Sequence, residues 1–193
     1  MKSFKKLLII LLFLSRGQVF GQTNYLLNNG YSVTIIGGSN LHDWDETAGN
    51  VSGIANISWN PNGSFNINAI KMIIDVRSIK SSEGSTMNNK TYSALKVNNH
   101  PSILFAITSP LQSIPASAGG ENITVSGNLT IAGVTHQITI HAKVVATPGG
   151  NVDIDGSQPI RMSDYNIDPP TALFGMLKVS DEVTIHFKME FRK

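Results

Sequence analysis

Residues Gly127–Ile140, GNLTIAGVTHQITI, constrain the fold more than any other stretch of the chain. Leu129 and Ile131 alternate with Asn128 and Thr130; Ile138 and Ile140 alternate with Gln137 and Thr139. A period of two buries one face of a strand and wets the other. Between the arms lies Ala132-Gly133-Val134-Thr135, a short connector in which glycine takes a positive φ at no steric cost. The stretch is therefore a β-hairpin with one apolar face. A lone hairpin is marginal in water, so further strands must cover that face.

Those strands can be read in order. Gln22–Gly30 is polar and reads as a loose lead, and Tyr31–Ile36 is the first strand. Gly37-Gly38-Ser39-Asn40-Leu41-His42-Asp43-Trp44 interrupts it. Val51, Gly53, Ala55, Ile57 and Trp59 then alternate with mainly polar neighbours up to the Asn60-Pro61-Asn62-Gly63 turn. In Ser64–Ile79 the apolar parity changes near Ala69–Ile70, which implies a β-bulge or a strand covered on both faces. Met87–Val97 reads as a helix with Ser85 or Thr86 as N-cap, ending before His100-Pro101 because proline disfavours a helical residue before it. Ser102–Ser109 is a strand and Pro110–Gly120 a loop; Glu121–Ala132 and Thr135–Thr147 extend the hairpin. Gly149-Gly150-Asn151 turns into Val152–Met162, Ser163–Leu177 is an irregular connection, and Val179–Phe191 closes the domain. Roughly eight consecutive antiparallel strands with one short α-helix give an all-β chain, and closure into a barrel removes the exposed edges.

Residues 1–21 read as a secretory signal peptide, leaving 22–193 as one domain. Lys2, Lys5 and Lys6 precede the apolar run Leu7–Leu14, and Val19-Phe20-Gly21 allows cleavage before Gln22. That run is too short for a membrane span, which needs about 20 residues. No cysteine is present for a lipoprotein anchor, a thiol nucleophile or a zinc–thiolate site. The formal charge of +2 changes sign on cleavage: four of the 15 basic residues and none of the 13 acidic ones leave, so acids outnumber bases by two. Nothing then favours nucleic acid as a partner, since that needs a basic patch.

Chemistry-bearing groups are sparse. His141 and His186 fall on the polar parity of their strands, and His136 lies near a rim. No closely spaced histidine pair suggests a metal, although His42, Asp43, Asp45 and His100 would form a site if their loops met. His42-Asp43-Trp44-Asp45 has two readings. In one, His42 and Asp43 are an acid–base pair with Trp44 stacking on a substrate. In the other, Asn40 and Asp43 shape the turn and Trp44 plugs one end of the barrel. Asp153 and Asp155 share a strand face and read as a solvated surface. No nucleophile elbow or phosphate-cradling glycine loop occurs. The apolar interior remains. The small inward residues Gly53, Ala55, Gly127 and Ala142 leave volume in it, while the residues alone leave open whether the barrel is hollow or packed as a closed interaction module.

Four pieces in register carry a resemblance. They are the Gly-x-Leu-Thr strand end leading through Gly-Val-Thr, Ile74-Asp75-Val76-Arg77-Ser78-Ile79, Ala94-Leu95-Lys96 with His100-Pro101-Ser102-Ile103-Leu104-Phe105, and Asp181-Glu182-Val183-Thr184-Ile185. Together they span most of the chain beyond about Tyr31, and the whole resembles the YceI-like family of lipocalin-like proteins. The resemblance implies an eight-stranded lipocalin-like barrel in an exported, periplasmic or secreted protein, with an apolar lumen and a non-enzymatic role. It also implies a lipid-like partner of the isoprenoid or fatty-acid type, no cofactor and no metal, and leaves a homodimer open. On that reading Phe65, Ile67, Ile103, Phe105, Leu129, Ile138, Ile140, Ile185 and Phe187 line the lumen, and Trp44, Met87, Tyr92, Leu95 and Phe174 gate it. Leu41-His42-Asp43-Trp44 and Ala94-Leu95-Lys96 depart from the commoner family pattern and point to a branch with its own ligand.

Overall fold

The computed structural model describes residues 22–172 and 177–193; the signal-peptide reading of 1–21 and Phe174 lie outside them. In chain order the elements are β1 (Thr23–Leu27), β2 (Ser32–Ser39), β3 (Asp43–Ala48), β4 (Val51–Trp59), β5 (Phe65–Asp75), β6 (Ile79–Ser81) and α1 (Ser85–Ala94). There follow β7 (Ser102–Ile107), β8 (Leu111–Ile114), β9 (Glu121–Ile131), β10 (Val134–Thr147), β11 (Asn151–Arg161), β12 (Thr171–Ala172) and β13 (Leu177–Arg192).

Several strands are broken halves of one stave, which is how thirteen make an eight-stranded barrel. The pair β3/β4 follows one path, β5/β6 another across the turn Val76–Ser78, and β7/β8 both lie along β5. From there pairing runs antiparallel through β9, β10, β11 and β13. β13 meets β2, β2 meets β3, and the ring is closed. Where β2 gives out, β1 takes its place between β4 and the end of β13, with Leu27 opposite Phe191.

The opening hairpin sets the register. Val125 faces Ile140 and Gly127 faces Ile138, so the two apolar parities coincide inside the barrel. Its connector is tighter than the expected Ala132–Thr135: the strands resume at once around Ala132 (φ 48°) and Gly133 (φ 85°), a two-residue turn with both φ positive. A Cβ on Gly133 would also collide with the His100 imidazole beneath it. The parity change in β5 is a bulge. Asn56 faces Ala69 while Ile57 faces Ile67, which leaves Asn68 as the extra residue, one position before the expected site. Its amide donates outward to Asn56 Oδ1 (3.0 Å) and Ser58 Oγ (3.2 Å).

Three expectations change. Gln22–Gly30 holds β1, whose Tyr25 is fully buried; only one of its side chains points in, so no alternation announces it. Pro110–Gly120 contains β8, with Ile114 packed against Phe65. The helix begins at Ser85 after Gly84, ends at Ala94 rather than Val97, and buries none of its residues. Polar ties hold it instead. The Tyr92 hydroxyl lies 2.8 Å from the Arg77 carbonyl oxygen and 2.9 Å from that of Ile79, and Asn88 Oδ1 accepts the Ser81 N–H at 2.7 Å.

The two ends of the barrel differ. At the end where β4 turns into β5, Tyr25, Ile57, Phe65, Ile67, Val152 and Phe191 are all but inaccessible. Trp59 stacks obliquely on Phe65 (5.1 Å) and donates its indole N–H to the Tyr25 hydroxyl (3.0 Å). This is the floor. At the mouth, under α1, the interior is not filled.

Candidate functional site

An inner cavity of about 140 Å³ occupies the middle of the barrel and an outer one of about 110 Å³ lies above it, beneath α1. Ile35, Ile79, Ile103, Ile131 and Ile185 line both, so one ring of aliphatic side chains joins them. Strand parity builds the inner wall. Residues i, i+2 and i+4 point the same way, and in β9, β10 and β13 these are aliphatic or aromatic. Gln158 is the one polar residue among its lining, and its amide is turned to the Pro159 carbonyl at 3.0 Å. An apolar hollow of this size stays dry when empty and takes apolar guests.

The sequence-derived lumen residues divide by depth. Ile103, Phe105, Leu129, Ile138, Ile140, Ile185 and Phe187 line the inner cavity. Phe65 and Ile67 lie below it, packed shut in the floor. Of the expected gate, Trp44, Met87 and Leu95 line the outer cavity. Tyr92 lines neither and fastens α1 to β6, its hydroxyl accepting from Lys80 Nζ at 2.6 Å. Sequence reasoning missed Val33, Ile70, Met72 and Ile154 in the inner wall; each sits on the inward parity of its strand.

More consequential is Glu46, 3 % exposed and on the outer cavity wall. The stretch Trp44-Asp45-Glu46-Thr47-Ala48 reads as polar, yet it forms β3, with Trp44, Glu46 and Ala48 turned inward and Asp43, Asp45 and Thr47 outward. That parity was the available signal. Glu46 Oε1 receives a short hydrogen bond from the Thr91 hydroxyl of α1; Oε2 has no hydrogen-bond partner among the described residues. Burial pushes this carboxyl above the ordinary glutamate range; the Thr91 bond opposes the shift, and Asp45 and Glu83 add to it. Tyr165, 1 % exposed, lines the same cavity, and its hydroxyl has no partner among the described residues. Its rim segment is pinned by Asp181, which accepts the Ser163 N–H at 2.8 Å and the Ser163 hydroxyl at 2.6 Å.

The histidine loop is organised otherwise. Ser39 Oγ accepts the N–H groups of Leu41 and His42 (3.1 Å each) and donates to the His42 carbonyl at 2.8 Å, so Ser39, which the sequence did not single out, ties this turn together. His42 Nδ1 meets the Asp43 backbone oxygen at 2.8 Å, not its carboxylate. Neither His42 nor Asp43 is among the residues lining the two cavities. Trp44 lies across Gly37, where any side chain would collide with the indole, and donates to the Gly38 carbonyl at 3.3 Å. Among the described residues no group of three or more His, Asp or Glu side chains is placed to hold a metal ion. His141 and His186 are exposed on the outer face, as expected.

Comparison with known proteins bears on this geometry. A family model described as the YceI-like domain matches residues 36–191. BcnA of Burkholderia cenocepacia superposes with a TM-score of 0.60 at 24 % identity, covering 83 % of this chain and 95 % of that one. A polyisoprenoid binding domain from Saccharophagus degradans, implicated in plant cell wall breakdown, gives 0.68 at 14 % identity over 89 % and 99 %. The YceI protein of Campylobacter jejuni gives 0.56 at 22 % over 77 % and 84 %. At these identities the solved structures share the fold. A search of curated protein sequences finds no match.

Proposed function

The chain belongs to the YceI-like family, and from that premise we propose that it is an exported lipid-binding protein holding a long-chain isoprenoid or similar amphiphile in its lumen. The observation that carries this reading is the pair of joined cavities, apolar below and edged with polar groups above, over a packed floor. The polyisoprenoid binding of the Saccharophagus relative supports the same choice of guest. The tail lies against Ile103, Phe105, Leu129, Ile138, Ile140, Ile185 and Phe187, Trp44, Met87 and Leu95 surround the entrance, and α1 is the lid. Binding is passive: each Å² of aliphatic surface taken from water contributes about 25 cal/mol.

Native mass spectrometry of protein purified without detergent tests this. A co-purified lipid, or uptake of one on incubation, is expected; an apo mass that no lipid alters would overturn the proposal. Export is part of it, and the intact mass of protein secreted by a bacterial host is expected to begin at Gln22.

A further inference from the structure

The outer cavity poses a question that an apolar tail does not answer: what meets its polar groups. Glu46 is the most buried acid in the described residues and stands on that wall with Oε2 unengaged. In the same wall the buried hydroxyl of Tyr165 lacks a partner among the described residues. A buried polar atom without a partner loses its hydration and gains nothing in exchange, so such atoms are rare unless something else meets them. That orphaned hydroxyl and the buried acid share one cavity wall, above the path of the proposed tail, and mark where the other end of the guest sits.

We propose that Glu46 anchors the head group of the guest, with Tyr165 as a second contact, and that this head group is uncharged and bears a hydrogen-bonding oxygen: an alcohol, ketone or amide, not a phosphate or carboxylate. The inference rests on the lumen reading above. Its chemistry is as follows. A protonated carboxyl offers one O–H donor and an acceptor, the complement of a hydroxyl or carbonyl oxygen. An anionic head would meet a carboxyl that has only one proton to share, with Asp45 and Glu83 close enough to raise its affinity for that proton. Arg161 lines the same cavity but is exposed, pairs across the strands with Glu182, and helps to hold the Asp181 carboxylate in its charged form. Thr91 ties Glu46 to the lid, so a head group bound there also touches the element that covers it.

The test uses the full chain stripped of lipid and three probes of similar length: geranylgeraniol, geranylgeranyl monophosphate and the hydrocarbon phytane. Binding is followed by native mass spectrometry and by quenching of Trp44, which lines the cavity. Wild-type protein is expected to hold the alcohol at least about tenfold more tightly than the phosphate. Glu46→Leu should lose about tenfold on the alcohol and leave phytane unchanged. Glu46→Gln keeps shape, donor and acceptor, and should stay within about threefold of wild type on the alcohol. Equal or tighter binding of the phosphate by wild type, or an unchanged preference in Glu46→Leu, overturns the head-group inference while uptake of phytane upholds the lumen. Failure of all three probes to bind overturns the lumen and this inference with it.

Discussion

At the floor of the barrel Tyr25, Trp59 and Phe65 interlock around one hydrogen bond; at the mouth Trp44 and Tyr165 stand round an unfilled space. The same strands supply both ends, with the same alternation. What differs is the size of the inward residues and what backs them. Near the floor β1 adds a further strand and β8 brings Ile114 against Phe65; towards the mouth the lid is a helix with no buried side chain. The hollow is costly. At about 24 cal/mol per Å³, an empty inner cavity of 140 Å³ forgoes about 3 kcal/mol of packing. A chain that packs its floor this well and leaves its centre open has its stability in one region and its vacancy in another.

Matched substitutions at the two ends sharpen the contrast. Phe65→Ala in the floor is expected to lower unfolding stability by about 3–5 kcal/mol. Phe187→Ala, which removes the same ring from a wall already facing the cavity, should cost about 2 kcal/mol or less, because fewer atoms close around it. Urea midpoints at unchanged m-value measure both, and equal losses would break the distinction. Enlarging instead of truncating reverses the order. Ala55→Leu, in a fully buried position, should cost about 1–3 kcal/mol by overpacking. Ala142→Leu projects into the inner cavity and should leave stability within about 1 kcal/mol while abolishing uptake of the proposed lipid, read as the absence of added lipid mass.

The smallest effect is one of pH. The folded state holds the Glu46 proton more tightly than the unfolded chain does, so stability from this group is present at low pH and is lost as pH rises through its elevated pKa. Asp45 on the same strand and Glu83 before α1 act in that direction, the Thr91 hydroxyl against it. Lys80 on the adjoining β6 is engaged by Tyr92, and Arg161 is at the exposed edge of the cavity. Glu46→Gln should therefore gain stability over wild type as pH rises above the ordinary glutamate range and through the elevated pKa of Glu46. A gap that stays constant with pH would mean the carboxyl is not titrating there.

How far the sequence disclosed all this also divides by region. The β9–β10 hairpin and β13 were legible because each has one wet and one dry face, so their parity is written in alternating side chains. The bulge at Asn68 was legible within a residue as a parity slip, although a strand covered on both faces would have left the same pattern. β1 was not, because Thr-Asn-Tyr-Leu-Leu sends only Tyr25 fully inside while Leu26 lies exposed. Lumen residues follow from parity alone. Telling Phe65 in the floor from Phe105 in the cavity wall needs the third dimension, as both occupy inward positions. Glu46 was obscured by its company: a glutamate between Asp45 and Thr47 looks solvated until Trp44 and Ala48 are seen to share its face.

The pairing of Leu27 with Phe191 carries a consequence for biogenesis. The bottom of this vessel is sealed by the first described strand meeting the last, contacts separated by nearly the whole sequence, and such contacts form late. The wall waits for the same strand, since the ring closes only through β13 between β11 and β2. A polypeptide still being made is thus kept from completing its fold until its final described strand has emerged.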